Sequence, residues 1–159
     1  MGKRSRASNL LLEDTFDHLN EGIALFDQDD RLVVFNGAYA KLFESLEFFL
    51  KPGITVNDIA AAGLFSLYEG PEAGRTENQF TGLELAEYHA ARGLPILRQS
   101  KDGRVLSVVY SRTSEGAKVV SWTDVTQQQQ YLQTLKEREE DLRKTLETVS
   151  EGVIGIDEH

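Results

Sequence analysis

Cysteine is absent from the 159 residues, which excludes disulfides, thiolate metal sites and cysteine nucleophiles. Positive charge is also scarce. Seventeen Lys and Arg against 26 Asp and Glu leave a net charge of −9, the wrong sign for a nucleic-acid footprint. Lys3, Arg4 and Arg6 gather at the start and read as a short solvated basic tail over residues 1–9. No run of about 18 apolar residues occurs, so no membrane span is predicted. No apolar stretch follows the opening MGKRSR, which argues against secretion and makes the cytoplasm the expected location. What is present suffices for a core: 40% apolar residues and 9% aromatics in a chain of one-domain length.

The chain carries an internal repeat. Residues 12–27 read LEDTFDHLNEGIALFD and residues 142–157 read LRKTLETVSEGVIGID. Leu, Thr, Glu, Gly and Asp recur at matched positions, and the mismatches mostly keep their class. A recurring unit is one structural module. The second copy stops two residues after its first strand-like run, so the expectation is one complete module, a connector, and the truncated opening of a second over residues 150–159. That organisation suggests a segment of a longer tandem array.

Ser8 is placed to cap a flanking helix over residues 10–21, with Leu12, Phe16 and Leu19 at helical spacing. β-type runs at 23–26 and 31–35 flank Asp27-Gln28-Asp29-Asp30, which reads as a solvated hairpin turn. Asn36 follows the second run and precedes GAYAKLFESLEFFL, so it is an N-cap candidate. Residues 55–62 form a second short helical piece, 69–79 read as a loop, and 83–92 as a helix closed by Gly93. Beyond Pro95 the period becomes that of strands, at 96–99, 105–111 and 119–123, with Asp102-Gly103 as a hairpin signal. Strands split by inserted helices predict an α+β module with helices on one face of an antiparallel sheet.

From 125 to 150 there is neither glycine nor proline. Val125, Leu132, Glu139 and Leu146 alternate with Gln128, Leu135, Leu142 and Val149 at spacings of three and four, the a and d positions of a coiled coil over residues 127–149. Its dimer seam is Leu132, Leu135, Leu142, Leu146 and Val149. Polar Gln128 and Glu139 weaken it.

EGIALFDQDDRLVVFNGAYAKLF resembles the opening of a PAS domain, and SKDGRVLSVVYSRTSEGAKVVSWTDVT resembles its last three strands. Asp124-Val125-Thr126 is similar to the Asp-Ile/Val-Thr signature that joins a PAS core to its output helix. The resemblance covers about residues 10–126, with the core at 22–126. It implies a five-stranded antiparallel sheet with helices on one face, an N-terminal flanking helix and a C-terminal coiled-coil output helix. It implies a bacterial sensory and dimerisation module feeding a missing output domain: a histidine kinase, with two alternatives. These are the regulatory domain of a cyclic-di-GMP synthase or phosphodiesterase, and a ligand-free protein-interaction domain. The implied partners are a second copy of the chain and further PAS or kinase domains of its parent.

His18, His89 and His159 lack the following acidic residue of a phospho-accepting histidine, and there is no Gly-Gly-Asp-Glu-Phe-like loop or Gly-rich phosphate cradle. The segment itself is expected to be catalytically silent. The resemblance puts a ligand pocket at Leu25, Phe35, Tyr39, Phe43, Tyr88, Leu106, Val108, Val120 and Trp122. Cysteine-dependent photochemistry is excluded. FAD and haem remain as alternatives to an empty interior, with His89 the haem-ligand candidate. No metal site is expected.

Overall fold

The computed structural model describes residues 2–42, 50–64 and 77–157, with side chains over 6–42, 50–62 and 81–150. It divides into two compact units, residues 1–124 and 125–159.

The first unit is built on one sheet. Its strands are β1 (Gly22–Phe26), β2 (Leu32–Phe35), β3 (Ile96–Gln99), β4 (Val105–Arg112) and β5 (Lys118–Asp124). They run in the spatial order β2-β1-β5-β4-β3 with every pair antiparallel. The helices are α1 (Gly2–His18), α2 (Gly37–Leu42), α3 (Val56–Ile59) and α4 (Glu77–Ala90), and Ala60–Leu64 continues α3 as a π-helical turn. Tyr39 of α2, Val56 and Ile59 of α3 and Tyr88 of α4 pack with Ala24, Phe26, Leu106, Val108, Tyr110, Val120 and Trp122 on one face of the sheet.

Gly22 fixes which residues of β1 face that core. A Cβ on Gly22 would stand 3.1 Å from the Tyr39 backbone, so only glycine lets α2 close on the strand. The period of two then carries Ala24 and Phe26 inward and Ile23 and Leu25 outward. This corrects the pocket assignment of Leu25, which lies opposite Val34 and Val119 on the outer face. In β2 a shift of register turns Leu32 and Phe35 inward and leaves Val33 and Val34 exposed. The nearly all-apolar sequence of β2 could not reveal that phase.

Asn36 ends β2 and caps α2, as its position predicts. Its side-chain oxygen accepts from Tyr39 N at 3.0 Å and from Ile23 N at 2.9 Å. Its amide nitrogen donates to Phe16 O at 3.1 Å and Glu21 O at 2.8 Å. That is the full capacity of an asparagine amide, spent on α1, the turn after it, β1 and α2. The residue is 1% exposed.

Three boundaries differ from expectation. Helix α1 starts at Gly2 rather than after Ser8 and stops at His18, because residues 3–18 contain no Gly or Pro to interrupt it. Residues 77–79, read as loop, belong to α4, and 65–76 lie outside the described residues. The predicted Asp102-Gly103 turn holds, with Gly103 at φ +86°, and Gly116 takes the same φ between β4 and β5. Thr55 caps α3, accepting from Asp58 N at 3.2 Å.

The second unit is the helix α5 (Thr126–Asp157), 32 residues and about 48 Å long. Its seam residues Leu132, Leu135, Leu142, Leu146 and Val149 are exposed. The repeat copy of β1 does not form a strand here, since α5 runs on through Asp157. With no neighbouring strand, its backbone groups find partners only along the helix.

Replacing Asn36 with Ala removes a cap, worth about 1 kcal/mol, and strips Ile23 N and two carbonyls of their partner, about 1–3 kcal/mol more. Urea unfolding followed by Trp122 fluorescence should show a loss of about 3 kcal/mol. A loss below about 1 kcal/mol would mean the four bonds do not hold the frame.

Candidate functional site

Among the described residues the interior keeps a small cavity of about 30 Å³, room for roughly one water. Phe26, Tyr110, Val120 and Trp122 form its sheet wall, and Tyr39, Glu84, Leu85 and Tyr88 its helical side, with Val56, Ile59 and Ala60 closing it. Of the predicted pocket, Tyr39, Tyr88, Val120 and Trp122 are in place. Leu106 and Val108 are buried in the same core without lining the cavity, and Phe35 packs at its edge, 6.3 Å from the Tyr39 ring. Phe43 lies outside the described residues.

Sequence reasoning missed Glu84, a carboxylate 1% exposed inside an aromatic box. A buried charge requires a partner, and it has two. Arg98, reaching in from β3, pairs with Oε1, and the Tyr110 hydroxyl donates to Oε2 at 2.8 Å. The available signal was spacing, since Glu84 stands four residues before Tyr88 on the inward face of α4. Burial, followed by the Glu84 charge, drives the Tyr110 phenol well above its ordinary range, and burial does the same for Tyr39. Both remain neutral hydrogen-bond donors at physiological pH.

A second polar cluster closes the other side of Tyr88. Its hydroxyl donates to Asp30 Oδ1 at 2.8 Å, and Lys118 Nζ donates to the same oxygen at 3.0 Å. Lys118 Nζ also lies 3.2 Å from His89 Nδ1 and 4.4 Å from the centre of the Tyr88 ring. The acidic turn is therefore more than a solvated hairpin: Asp30, at φ +60°, ties it to α4 and β5. Burial raises the Asp30 carboxyl, but the bonds from Tyr88 and Lys118 and the nearby positive charges outweigh it and hold the group below its ordinary value. Burial and the Asp30 bond push the Tyr88 phenol up.

His89 does not line the cavity, its side chain is half-exposed, and its Nδ1 faces Lys118. Pockets for drug-sized ligands run to about 300–1,000 Å³, well above the volume of this cavity. Among the described residues no group of three or more His, Asp and Glu could hold a metal ion, and no helix is long and apolar enough to cross a membrane.

Trp122 belongs to two walls. It lines the interior cavity and also an open groove of about 400 Å³ between the end of α1, α2 and the ends of β4 and β5, where Lys41, Leu42, Arg104, Leu106 and Asp124 are its neighbours. Strand β5 ends at Asp124 and α5 begins at Thr126, with Gln129 N donating to Val125 O at 2.9 Å as the first helical bond.

A sequence profile described as the PAS fold matches residues 16–133. The "Non-motile and phage-resistance protein" of Caulobacter vibrioides is 27% identical over 158 residues, 97% of this chain. The chain spans only 16% of that relative's length. Among solved structures, the phage VqmA-DPO complex matches with a TM-score of 0.50 at 11% identity, covering 86% of this chain and 62% of that one. A domain of the sensory box sensor histidine kinase/response regulator of Geobacter sulfurreducens matches with a TM-score of 0.44 at 15% identity, over 74% of this chain and 94% of that one.

A depressed folded-state pKa adds stability above the unfolded value, 3.8 for Asp30, and that stability is lost as pH falls through the folded value. Replacing Asp30 with Asn should therefore cost about 1 kcal/mol at pH 7, by loss of bonds to a charged group. Urea unfolding of both proteins from pH 7 to pH 3 should show the gap closing below about pH 4. A gap that stays constant with pH would contradict the role given to the Asp30 charge.

Proposed function

The chain belongs to the PAS fold family, and from that membership we propose that it is a sensory and dimerisation module acting on an output domain through α5. The observation that carries this reading is the joint. One residue, Val125, separates the central strand β5 from a 32-residue helix, and Trp122, two positions before the strand ends, lines both the interior cavity and the outer groove. A shift of the sheet at Trp122 and Val120 reaches Asp124, Val125 and Thr126 with no loop in which to dissipate. A helix continuous from such a joint tilts or turns as one body.

The exposed a and d residues of α5 support a homodimer, because a helix with an apolar seam and polar flanks gains most by burying that seam against a copy of itself. The output domain we propose is a histidine kinase of the parent protein. A regulatory role in a cyclic-di-GMP enzyme differs only in the domain that the helix drives. The tight interior favours the ligand-free variant of this reading: with room for about one water, the module responds to contacts at its surface or to a very small molecule, with neither haem nor flavin as cofactor. The setting we propose is cytoplasmic.

The 159-residue chain should scatter light as a dimer at high micromolar concentration. Leu135→Glu with Leu142→Glu should convert it to a monomer while leaving the sheet folded by circular dichroism. A monomeric unmodified chain would overturn the dimer.

Asp124→Ala or Thr126→Ala should cost about 1 kcal/mol at most, as lost caps do. In the intact parent protein each should uncouple output from stimulus. Full stimulus-dependent switching in both variants would reduce the joint to a linker.

A further inference from the structure

The polar cluster behind Tyr88 is built to take up the smallest ligand of all, a proton. Lys118 Nζ lies 3.2 Å from His89 Nδ1. An ammonium group only donates hydrogen bonds, so Nδ1 has to accept, and the ring is the neutral tautomer with its proton on Nε2. The same ammonium donates to Asp30 Oδ1 at 3.0 Å, and the Tyr88 hydroxyl donates to that oxygen at 2.8 Å. Both of these bonds fall on Oδ1. The other carboxylate oxygen, Oδ2, stands 4.0 Å from His89 Nδ1.

A proton added at Nδ1 is incompatible with this arrangement. The nitrogen becomes a donor facing a donor, and the ring becomes a cation at hydrogen-bond distance from another cation, which like charges disfavour. Asp30 Oδ2 is the alternative partner, and an approach of about 1 Å would bring it to the length of a charge-assisted bond. We propose that His89 is a proton-operated switch that transfers the last turn of α4 from β5 to the β1–β2 turn. Neutral, the ring is held by Lys118, the first residue of β5; protonated, it is held by Asp30. The consequence for signalling rests on the function proposed above: β5 runs into α5, and the proton changes the grip on the opposite end of that strand.

The other groups around the ring permit the exchange. From the end of β4, Arg112 Nη2 donates to the His89 carbonyl at 3.0 Å and is engaged there. In the β1–β2 turn, Asp27 accepts from the Asp29 and Arg31 amides. The Tyr88 ring stands edge-on to the imidazole with centroids 5.1 Å apart, and its phenol, pushed up by burial and the Asp30 bond, stays neutral. Although burial raises it, the bonds from Tyr88 and Lys118 hold the Asp30 carboxyl below its ordinary value, so it carries its charge wherever a histidine titrates. The His89 side chain is 49% exposed, and solvent protons reach it without any opening of the fold.

Nitrogen-15 NMR of the ring and backbone of the 159-residue chain, between about pH 5 and pH 8, tests the switch. At the alkaline end His89 should be the Nε2–H tautomer. As the ring protonates, the Asp30 and Lys118 amides should shift with the same midpoint. His89→Gln keeps an acceptor for Lys118 but takes up no proton, so both amides should lose most of that shift. Amides that move as far in His89→Gln as in the unmodified chain would assign the change to another group and overturn the switch. A ring that titrates while both amides stay still would overturn it too, as would an Nδ1–H tautomer at the alkaline end. Each outcome is read within the first unit, so a failure here leaves the function proposed for α5 standing.

Discussion

Four hydrogen bonds from one buried amide hold the first unit in register. The Asn36 side chain accepts from β1 and α2 and donates to α1 and to the turn before β1. Each of those segments would otherwise lose the partner of a buried or part-buried backbone group, together about 3 kcal/mol with the cap. Gly22 acts with it. By letting α2 approach β1 to contact distance, it brings Tyr39 over the sheet and fixes the phase of the strand. The position of Tyr39 against the sheet depends on that pair.

Around this frame, among the described residues, the buried and part-buried charges Glu84, Asp30 and Lys118 sit in compensated groups. Glu84 is matched by Arg98 and by the Tyr110 hydroxyl, and Asp30 by Lys118 and by the Tyr88 hydroxyl. Both clusters join a helix to a strand: Glu84 links α4 to β3 and β4, and Asp30 links the β1–β2 turn to α4 and β5. Such pairs contribute less to net stability than to a single defined arrangement, because a displaced partner leaves an uncompensated buried charge. They tie the Glu84 and Tyr88 side of α4 to the sheet and to the β1–β2 turn.

Local chemistry was legible in the sequence wherever it acts within a few residues. The Asn36 cap, the Asp102-Gly103 turn, the Thr55 helix start and the Gly- and Pro-free run at the start of α5 all depend on neighbours along the chain. Leu25 was not legible, because its direction depends on how closely α2 approaches Gly22, and β2 is apolar on both faces. Glu84 escaped notice because a single acidic residue in a polar-looking helix carries no sign of the Arg98 and Tyr110 that neutralise it from other strands. Asp30 looked like ordinary turn chemistry until Lys118, 88 residues away, was brought to it. The part of the site that required the fold is therefore the polar part, while its aromatic walls were half readable from helical spacing.

Under the proposed function, in which a small movement passes from the sheet to a helix, the frame has to resist opening while the strand end moves. Native-state hydrogen exchange tests that division most directly. The amides of Ile23 and Tyr39 donate to Asn36 Oδ1, so they should exchange only by global unfolding, as slowly as the Val120 amide in the middle of β5. Exchange of Ile23 and Tyr39 a hundredfold faster than Val120 would show that the Asn36 junction opens locally. The frame would then not be the fixed body from which β5 drives α5.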